Sequence, residues 1–429
     1  MLTAKDLIPS LADSPEGPVE RAVRPAPLVP GSATARALLA AWRGAPLVVV
    51  DSPPGGGKTE AAVTIAAHLA VTAGLHVVAA FPTRLQAISF AGRVVRQVPP
   101  ERVSVAISNL SPADLPAGVG DRPLTLGRSP AKGGTVTIRT VASLAMTSNM
   151  GGPDHVLIVD EGYQVTLADM TAAAAGFPQV MSLGDPGQIG PVVTHDVSLW
   201  EYGTQRPHAP ALGALKAHED ATVDHIDGTW RLGPETVAVL KPCYPFPFES
   251  RRPARSASLG GAGDRGRGLG EIERLVLPAD EDEAMRLVAS RAASFVGAVL
   301  GSGKPSSDGP SSSSERREAT QRDIAVIVSK NVQVTAISAL LAGAGLGDIV
   351  VGTADRTQGG QWAMVVAVDP CYGASHGDTH ATDNGRACVM LSRHTTHLTW
   401  AHDDAWDKVL DDKTGLKLRR LAMAAPLAA

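Results

Sequence analysis

The sequence predicts an α/β protein built as two tandem domains, each around a parallel β-sheet with helices on both faces. Three observations lead there. Short, β-branched apolar runs alternate with Ala-rich stretches of helical length, and this alternation occurs once in each half of the chain. The chain has 429 residues, 44% hydrophobic and 19% charged, enough to bury two separate cores.

Taken in order, residues 1–30 are rich in Pro and charge and read as an extended N-terminal arm, with RAVRPAPLVPG leading into a helix at ATARALLAAWRG. A strand PLVVVD follows, then a helix from Lys58 to Ala73, a strand HVVAAF and a helix from Leu85 to Arg96. VSVAI, TVTIRT, HVLIVD and QVMSLGD complete a first domain placed at 31–221. A second set opens at Thr222 with TVDHID and continues with IERLVLP, a helix from Asp280 to Leu300, DIAVIVS and a helix from Val332 to Gly343. DIVVGTADR, MVVAVDP and CVMLSR close a second domain at 222–415, leaving 416–429 as a C-terminal tail. The repetition is architectural, with none of the fixed short period of a solenoid. Two segments dominated by Gly, Ser and Arg, 250–270 and 301–318, carry too little apolar surface to offset the entropy of ordering and are expected to be flexible surface loops. For the arginines of the first, a solvated linker is favoured over contact with a phosphate backbone.

The formal net charge of −4 excludes a histone-like protein that holds nucleic acid by bulk positive charge, but leaves room for a local basic groove. Cys243, Cys371 and Cys388 are widely spaced and odd in number, which argues against a disulfide framework or a four-cysteine zinc site. The opening MLTAKDLIPSLADSPEGP has no apolar leader core, and runs such as APLVVV and MVVAV are of strand length, so a soluble cytoplasmic protein without membrane contact is expected. Cys371, His376, Asp378 and His380 lie in the Gly-rich CYGASHGDTHATD, which reads as a surface loop rather than a metal site.

The strongest local signal is VVVDSPPGGGKTEAAVTIAAHLA, an apolar strand running into a Gly-rich turn and then a helix beginning near Lys58. Gly55, Gly56 and Gly57, after Pro54, let backbone N–H groups curl around a phosphate. Lys58 would reach the terminal phosphates, Thr59 would ligate Mg²⁺, and Glu60 follows in the first helical turn. Ser52 stands where the pattern has its first Gly. HVLIVDEGYQ supplies the second half of such a site: Asp160 would hold Mg²⁺ through water, and Glu161 would orient and deprotonate the attacking water.

With these in place the sequence resembles superfamily 1 helicases, particularly the branch of the nonsense-decay helicases and, more distantly, RecD. The resemblance is an ordered series across roughly residues 45 to 400: SPPGGGKT, FPTRLQA, IRTVASL, VDEGYQ with its trailing Gln164, SLGDPGQIGPV, DGTWRLGPET, VGTADRTQGGQW and VMLSRHTTHL. It implies two RecA-like domains with ATP and Mg²⁺ between them. It further implies that Gln188 senses the γ-phosphate or holds the attacking water, that Arg231 and Arg393 act as arginine fingers from the second domain, and that Gln358 and Gly359 line the far wall while Asp185 tethers the cleft. Single-stranded DNA or RNA would lie on Pro82, Thr83, Thr140 and Thr353, and Trp230 or Trp362 would stack on a base or on adenine. The implied activity is an ATP-dependent helicase or translocase running 5′ to 3′. Two departures stand out: residues 28–50 hold no Gln to recognise adenine, and Gln361 replaces the usual Glu at the ribose. With no large insertion between FPTRLQA and VDEGYQ, the alternative is an ATPase switch or remodeller, stimulated by nucleic acid but without processive unwinding. A non-catalytic scaffold is disfavoured by the joint presence of Lys58, Thr59, Asp160, Glu161, Gln188, Arg231 and Arg393.

Overall fold

The computed structural model describes residues 23–116, 125–126, 134–147, 150–260, 267–302 and 315–428. Strands β1 (Leu47–Asp51), β2 (His76–Phe81), β3 (Val103–Val105), β4 (Thr125–Leu126), β5 (Thr135–Thr140), β6 (His155–Val159), β7 (Gln179–Gly184) and β8 (Ala221–His225) form one sheet in the order β4-β3-β5-β2-β6-β7-β1-β8. Every pairing in it is parallel. Helices α1 (Ala33–Trp42), α2 (Lys58–Ala67), α3 (Arg84–Val94), α4 (Val141–Ala145), α5 (Leu167–Ala174) and α6 (Ala211–Leu215) cover it.

The two faces are set by strand alternation. Val48 and Val50 point into a core shared with Ile65, Leu69 and Phe90, while Leu47 and Val49 point into a second core with Met170 and Leu212. Each such side chain contributes roughly 1.5–3 kcal/mol by burial, and a one-residue slip of β1 would exchange the faces. That register fixes where the turn after Asp51 emerges.

The remaining strands are β9 (Gly228–Thr229), β10 (Glu249–Ser250), β11 (Arg255–Leu259), β12 (Arg267–Leu269), β13 (Ile272–Val276), β14 (Val299–Ser302), β15 (Glu315–Glu318), β16 (Ile324–Val328), β17 (Val350–Thr353), β18 (Trp362–Val368) and β19 (His394–His402). Five of them make a second all-parallel sheet, β13-β19-β18-β16-β17. It is covered by α7 (Pro234–Leu240), α8 (Glu281–Ala293), α9 (Asn331–Gly343), α10 (Asn384–Leu391), α11 (Trp406–Val409) and α12 (Lys413–Ala422). Ala325 and Ile327 face one core, Ile324, Val326 and Val328 the other. The expected pair of RecA-like parallel-sheet domains is therefore present. Among the described residues no helix is long and apolar enough to cross a membrane.

Several expectations are corrected. TVDHID opens no second domain: β8 pairs with β1 from Leu47↔Ala221 to Asp51↔His225, and Arg36 of α1 grips Asp224 with two hydrogen bonds of 2.7 and 2.8 Å. Apolar alternation identifies a strand but not its partner, so the boundary at 221/222 cuts through the first sheet. The helix expected to reach Leu300 ends at Ala293; Gly297, at φ +80°, turns the chain into β14. The flexible loops at 250–270 and 301–318 are, where described, strands: β12-β11-β14-β15 is an antiparallel sheet whose Ala257 and Leu300 enter the core. Residues 261–266 and 303–314 of those loops lie outside the described residues. The tail at 416–429 is largely α12, which buries Leu418 and Ala422 and pairs the fully buried Arg419 with Asp369 at 3.1 Å. Of the N-terminal arm, residues 23–30 are described; the Ala26 N–H donates to Gln97 Oε1 at 2.9 Å.

Candidate nucleotide-binding cleft

β1 ends at the glycine turn, and steric facts show why glycine is required there. Gly55 and Gly57 have φ of +71° and +88°. A Cβ on Gly55 would lie 2.3 Å from Arg231 Cβ, and one on Gly56 would lie 2.5 Å from Ser52 Oγ. Ser52 is tolerated in place of the first Gly because its hydroxyl turns inward and donates to the Pro53 carbonyl at 3.0 Å. α2 begins at Lys58 with no side-chain cap at Gly57, so its first N–H groups remain available to an anion.

Lys58 Nζ lies 2.8 Å from Glu161 Oε1. Burial opposes the lysine charge, but Glu161, Asp160 and Asp185 outweigh it and hold its pKa above the ordinary value. Thr59 Oγ1 donates to Asp160 Oδ2 at 2.7 Å. Asp160, 2% exposed, is pushed up to about 6, mainly by burial and also by Glu161, against the pull of Lys58. A hydroxyl and a buried carboxylate under that strain fit a hard divalent cation, which would relieve the cost of ionising Asp160. Glu161 has φ +60°, in the left-handed region that glutamate rarely adopts, and this turn aims its carboxylate at Lys58. Glu60 is not gathered here: it is exposed and accepts from Gln97 Nε2 at 3.2 Å.

From β9 and its extension, the second lobe reaches onto the loop. Thr229 Oγ1 donates to the Pro54 carbonyl at 2.6 Å and the Trp230 N–H to the Gly55 carbonyl at 3.0 Å. This places the partly buried Arg231 against Gly55; its Nε donates to Gln361 Oε1 at 3.1 Å and its Nη1 to the Ser392 carbonyl at 3.4 Å. Arg393, 1% exposed, donates to the Val389 carbonyl and to Ser392 Oγ, each at 3.1 Å. Burial lowers the pKa of both arginines, Arg393 lowers that of Arg231 further, and Asp185 and Glu161 act on both in the opposite sense. Guanidinium groups keep their charge at neutral pH regardless. Among the described residues, neither has a carboxylate within ion-pair distance. Asp185 accepts from Tyr244 OH and the Gly187 N–H, each at 2.9 Å. Gln358 Nε2 donates to Gln188 Oε1 at 3.0 Å, and Gly359, at φ +87°, follows.

A cavity of about 440 Å³ opens beside Gly55 and Arg231, lined also by Trp230, Trp362, Gln361 and the arginines Arg255, Arg317 and Arg322. Those three arginines were not singled out in the sequence; Arg255 and Arg317 fall in the two segments first read as loops, and Arg322 lies just beyond the second. The candidate track residues sit at or just beyond the C-terminal ends of strands. Thr83, following Pro82 after β2, caps α3; Thr140, at the end of β5, caps α4; Thr353, at the end of β17, is 8% exposed and accepts from Thr357 through its backbone carbonyl. Cys371 is buried with Val409 and Leu410, His376 lies 3.0 Å from Asp411, and no metal-binding cluster of three or more His, Cys, Asp or Glu occurs among the described residues.

Comparison with protein-family models finds no match, and neither does comparison with curated proteins. Among solved structures, the helicase of PRRSV is 14% identical, with 86% of this chain and 54% of that chain covered and a TM-score of 0.43. The helicase nonstructural protein 10 of an arterivirus, in complex with DNA, is 15% identical, with 91% and 66% covered and a TM-score of 0.45. The chain thus spans between half and two thirds of the length of these structures.

Proposed function

We propose that this chain is an ATP-hydrolysing motor of the superfamily 1 helicase type, moving along single-stranded nucleic acid in the 5′ to 3′ direction. One observation carries the reading. Arg231 packs against Gly55 of the glycine loop, the fully buried Arg393 lies near enough for the two charges to repel, and among the described residues neither has a carboxylate within ion-pair distance. Uncompensated cations in a buried cleft are costly, and an anionic ligand with developing negative charge is what repays them. The loop N–H groups and Lys58 would hold the β- and γ-phosphates, and Glu161 would take the proton of the attacking water. The water oxygen bonds to the γ-phosphorus as the bond to the β-phosphate oxygen breaks, while Arg231 and Arg393 neutralise the charge in transit. Thr59 and Asp160 would hold Mg²⁺, which when bound would supply further neutralisation of phosphate charge. Because the arginines and the loop belong to different lobes, hydrolysis and lobe movement become one event.

The polymer would cross the strand ends that carry Pro82, Thr83, Thr140 and Thr353, gripped through its backbone rather than its bases. The short stretch between FPTRLQA and VDEGYQ carries no large insertion, which favours, as a second reading, a clamp-and-release ATPase that does not unwind. A strand-displacement assay separates the two. The primary test is ATP turnover by the wild type and Lys58→Ala with single-stranded DNA, single-stranded RNA or neither. Stimulation by at least one polymer, lost in the variant, is expected; absence of turnover with every polymer overturns the proposal.

A further inference from the structure

A file of glutamine side chains joins the candidate track to the candidate catalytic centre. Thr83 Oγ1 donates to Gln86 Oε1 at 2.8 Å, Gln86 Nε2 to Gln164 Oε1 at 3.3 Å, and Gln164 Nε2 to Gln188 Oε1 at 3.1 Å. Gln188 Nε2 then donates to Asp185 Oδ2 at 3.1 Å. The topology brings these residues together, because β2, β6 and β7 are neighbours in the sheet and each residue follows the C-terminal end of one of them. Polarity runs one way along the file. An ionised carboxylate only accepts, so Asp185 fixes the amide of Gln188, whose oxygen then faces Gln164, and the same logic orients Gln164 and Gln86 in turn. Hydrogen bonds aligned head to tail strengthen one another.

The consequence lies at Gln188. Its carbonyl oxygen has two lone pairs and accepts two donors, Gln164 from its own lobe and Gln358 from the other at 3.0 Å. So occupied, it has no lone pair left to accept a hydrogen bond from an attacking water and orient it toward Glu161. At the far end, the Gln86 oxygen accepts from both the exposed Thr83 hydroxyl, at 2.8 Å, and the Thr83 N–H, at 3.0 Å. A backbone phosphate arriving there offers both donors a charged acceptor, which forms stronger hydrogen bonds than an amide oxygen.

We infer that Gln86 and Gln164 are positioning residues that occupy the oxygen of Gln188 until nucleic acid engages Thr83, and that this release is how the polymer stimulates hydrolysis. The inference rests on the motor reading above. Gln86→Glu tests it cleanly: glutamate keeps the capping box with Thr83 but has no N–H to give Gln164. The new carboxylate is a stronger acceptor than the amide oxygen it replaces and draws the Gln164 N–H toward itself, so the Gln188 oxygen loses that donor. Gln164→Leu breaks the next link without touching the helix cap.

The experiment is steady-state ATP turnover of the full chain across a titration of single-stranded polymer. In both variants, basal kcat is expected to rise about three- to tenfold, the range one net hydrogen bond is worth. The polymer-saturated kcat stays within about twofold and the half-saturating polymer concentration within about threefold of wild type. Basal kcat unchanged or lowered in Gln86→Glu, with melting temperature preserved, overturns the inference. A wild type that no polymer stimulates removes the motor reading instead, and the two failures are distinguishable in one data set.

Discussion

Gly55→Ala should damage turnover far more than stability. The added Cβ would lie 2.3 Å from Arg231 Cβ, whereas ordinary contact begins at 3.4 Å, so Arg231 or the loop must give way by about 1.1 Å. The Thr229 and Trp230 hydrogen bonds to Pro54 and Gly55 tie the loop to the segment that carries Arg231, so the clash is relieved at the expense of the arginine's position. A misplacement of about 1 Å in a catalytic group costs on the order of 100-fold in rate. The residue also sits at φ +71°, where alanine costs roughly 1–2 kcal/mol. Gly57→Ala is the control: its φ is +88° but nothing lies within 4 Å of its Cβ, so it carries the backbone cost without displacing Arg231. Polymer-stimulated kcat and melting temperature, measured side by side, should show similar stability losses and a kcat loss at least tenfold larger in Gly55→Ala. Equal kcat in the two variants would refute the steric argument.

Asp160→Asn should abolish turnover yet stabilise the protein without divalent cation. The folded pKa of about 6 lies above the ordinary 3.8, so stability present at low pH is lost as pH rises through 6, and removing the charge recovers no more than about 3 kcal/mol. Its melting temperature should exceed wild type at pH 8 and match it near pH 4; equal effects at both would contradict this. Glu271→Gln should have the opposite sign. Burial opposes that carboxylate's charge, but His394, Thr236 and Arg252 outweigh it and hold its pKa near 2, so its contribution exists above the ordinary 4.5 and fades as pH falls toward 2. Denaturant unfolding should show a loss of about 3 kcal/mol at pH 7 that shrinks below pH 4; a pH-independent loss would contradict it. Trp230→Ala, at the mouth of the cavity, should raise KM for nucleotide about tenfold with kcat within about twofold, as loss of one stacking platform implies; an unchanged KM would remove the tryptophan from the base subsite.

How much of this was legible in the sequence follows from the range of the interactions. The strand, glycine turn and helix around Lys58 could be read directly, because φ > 0, a free helix N-terminus and an apolar strand each leave a local mark. Asp160 and Glu161 were legible for the same reason, at the end of an apolar run. Strand partners were not: Thr222 to His225 alternates like any strand, and only the Leu47↔Ala221 register assigns it to the first sheet. The antiparallel sheet was hidden because its strands are short and poor in apolar side chains, with Ala257 and Leu300 as its main anchors. The glutamine file was invisible for a topological reason, since residues 86, 164, 188 and 358 meet only once the sheet order is known. Glu60 belonged to the local phosphate-loop pattern but turned outward, because the first turn of a helix presents successive side chains in different directions.

The central claim is that arginines of one lobe complete the chemistry of the other. Single-turnover hydrolysis by Arg393→Ala, beside equilibrium nucleotide binding, tests it most directly. A loss of about 1,000-fold or more in the hydrolysis rate is expected, with nucleotide affinity within about tenfold of wild type. Hydrolysis within tenfold of wild type would contradict it.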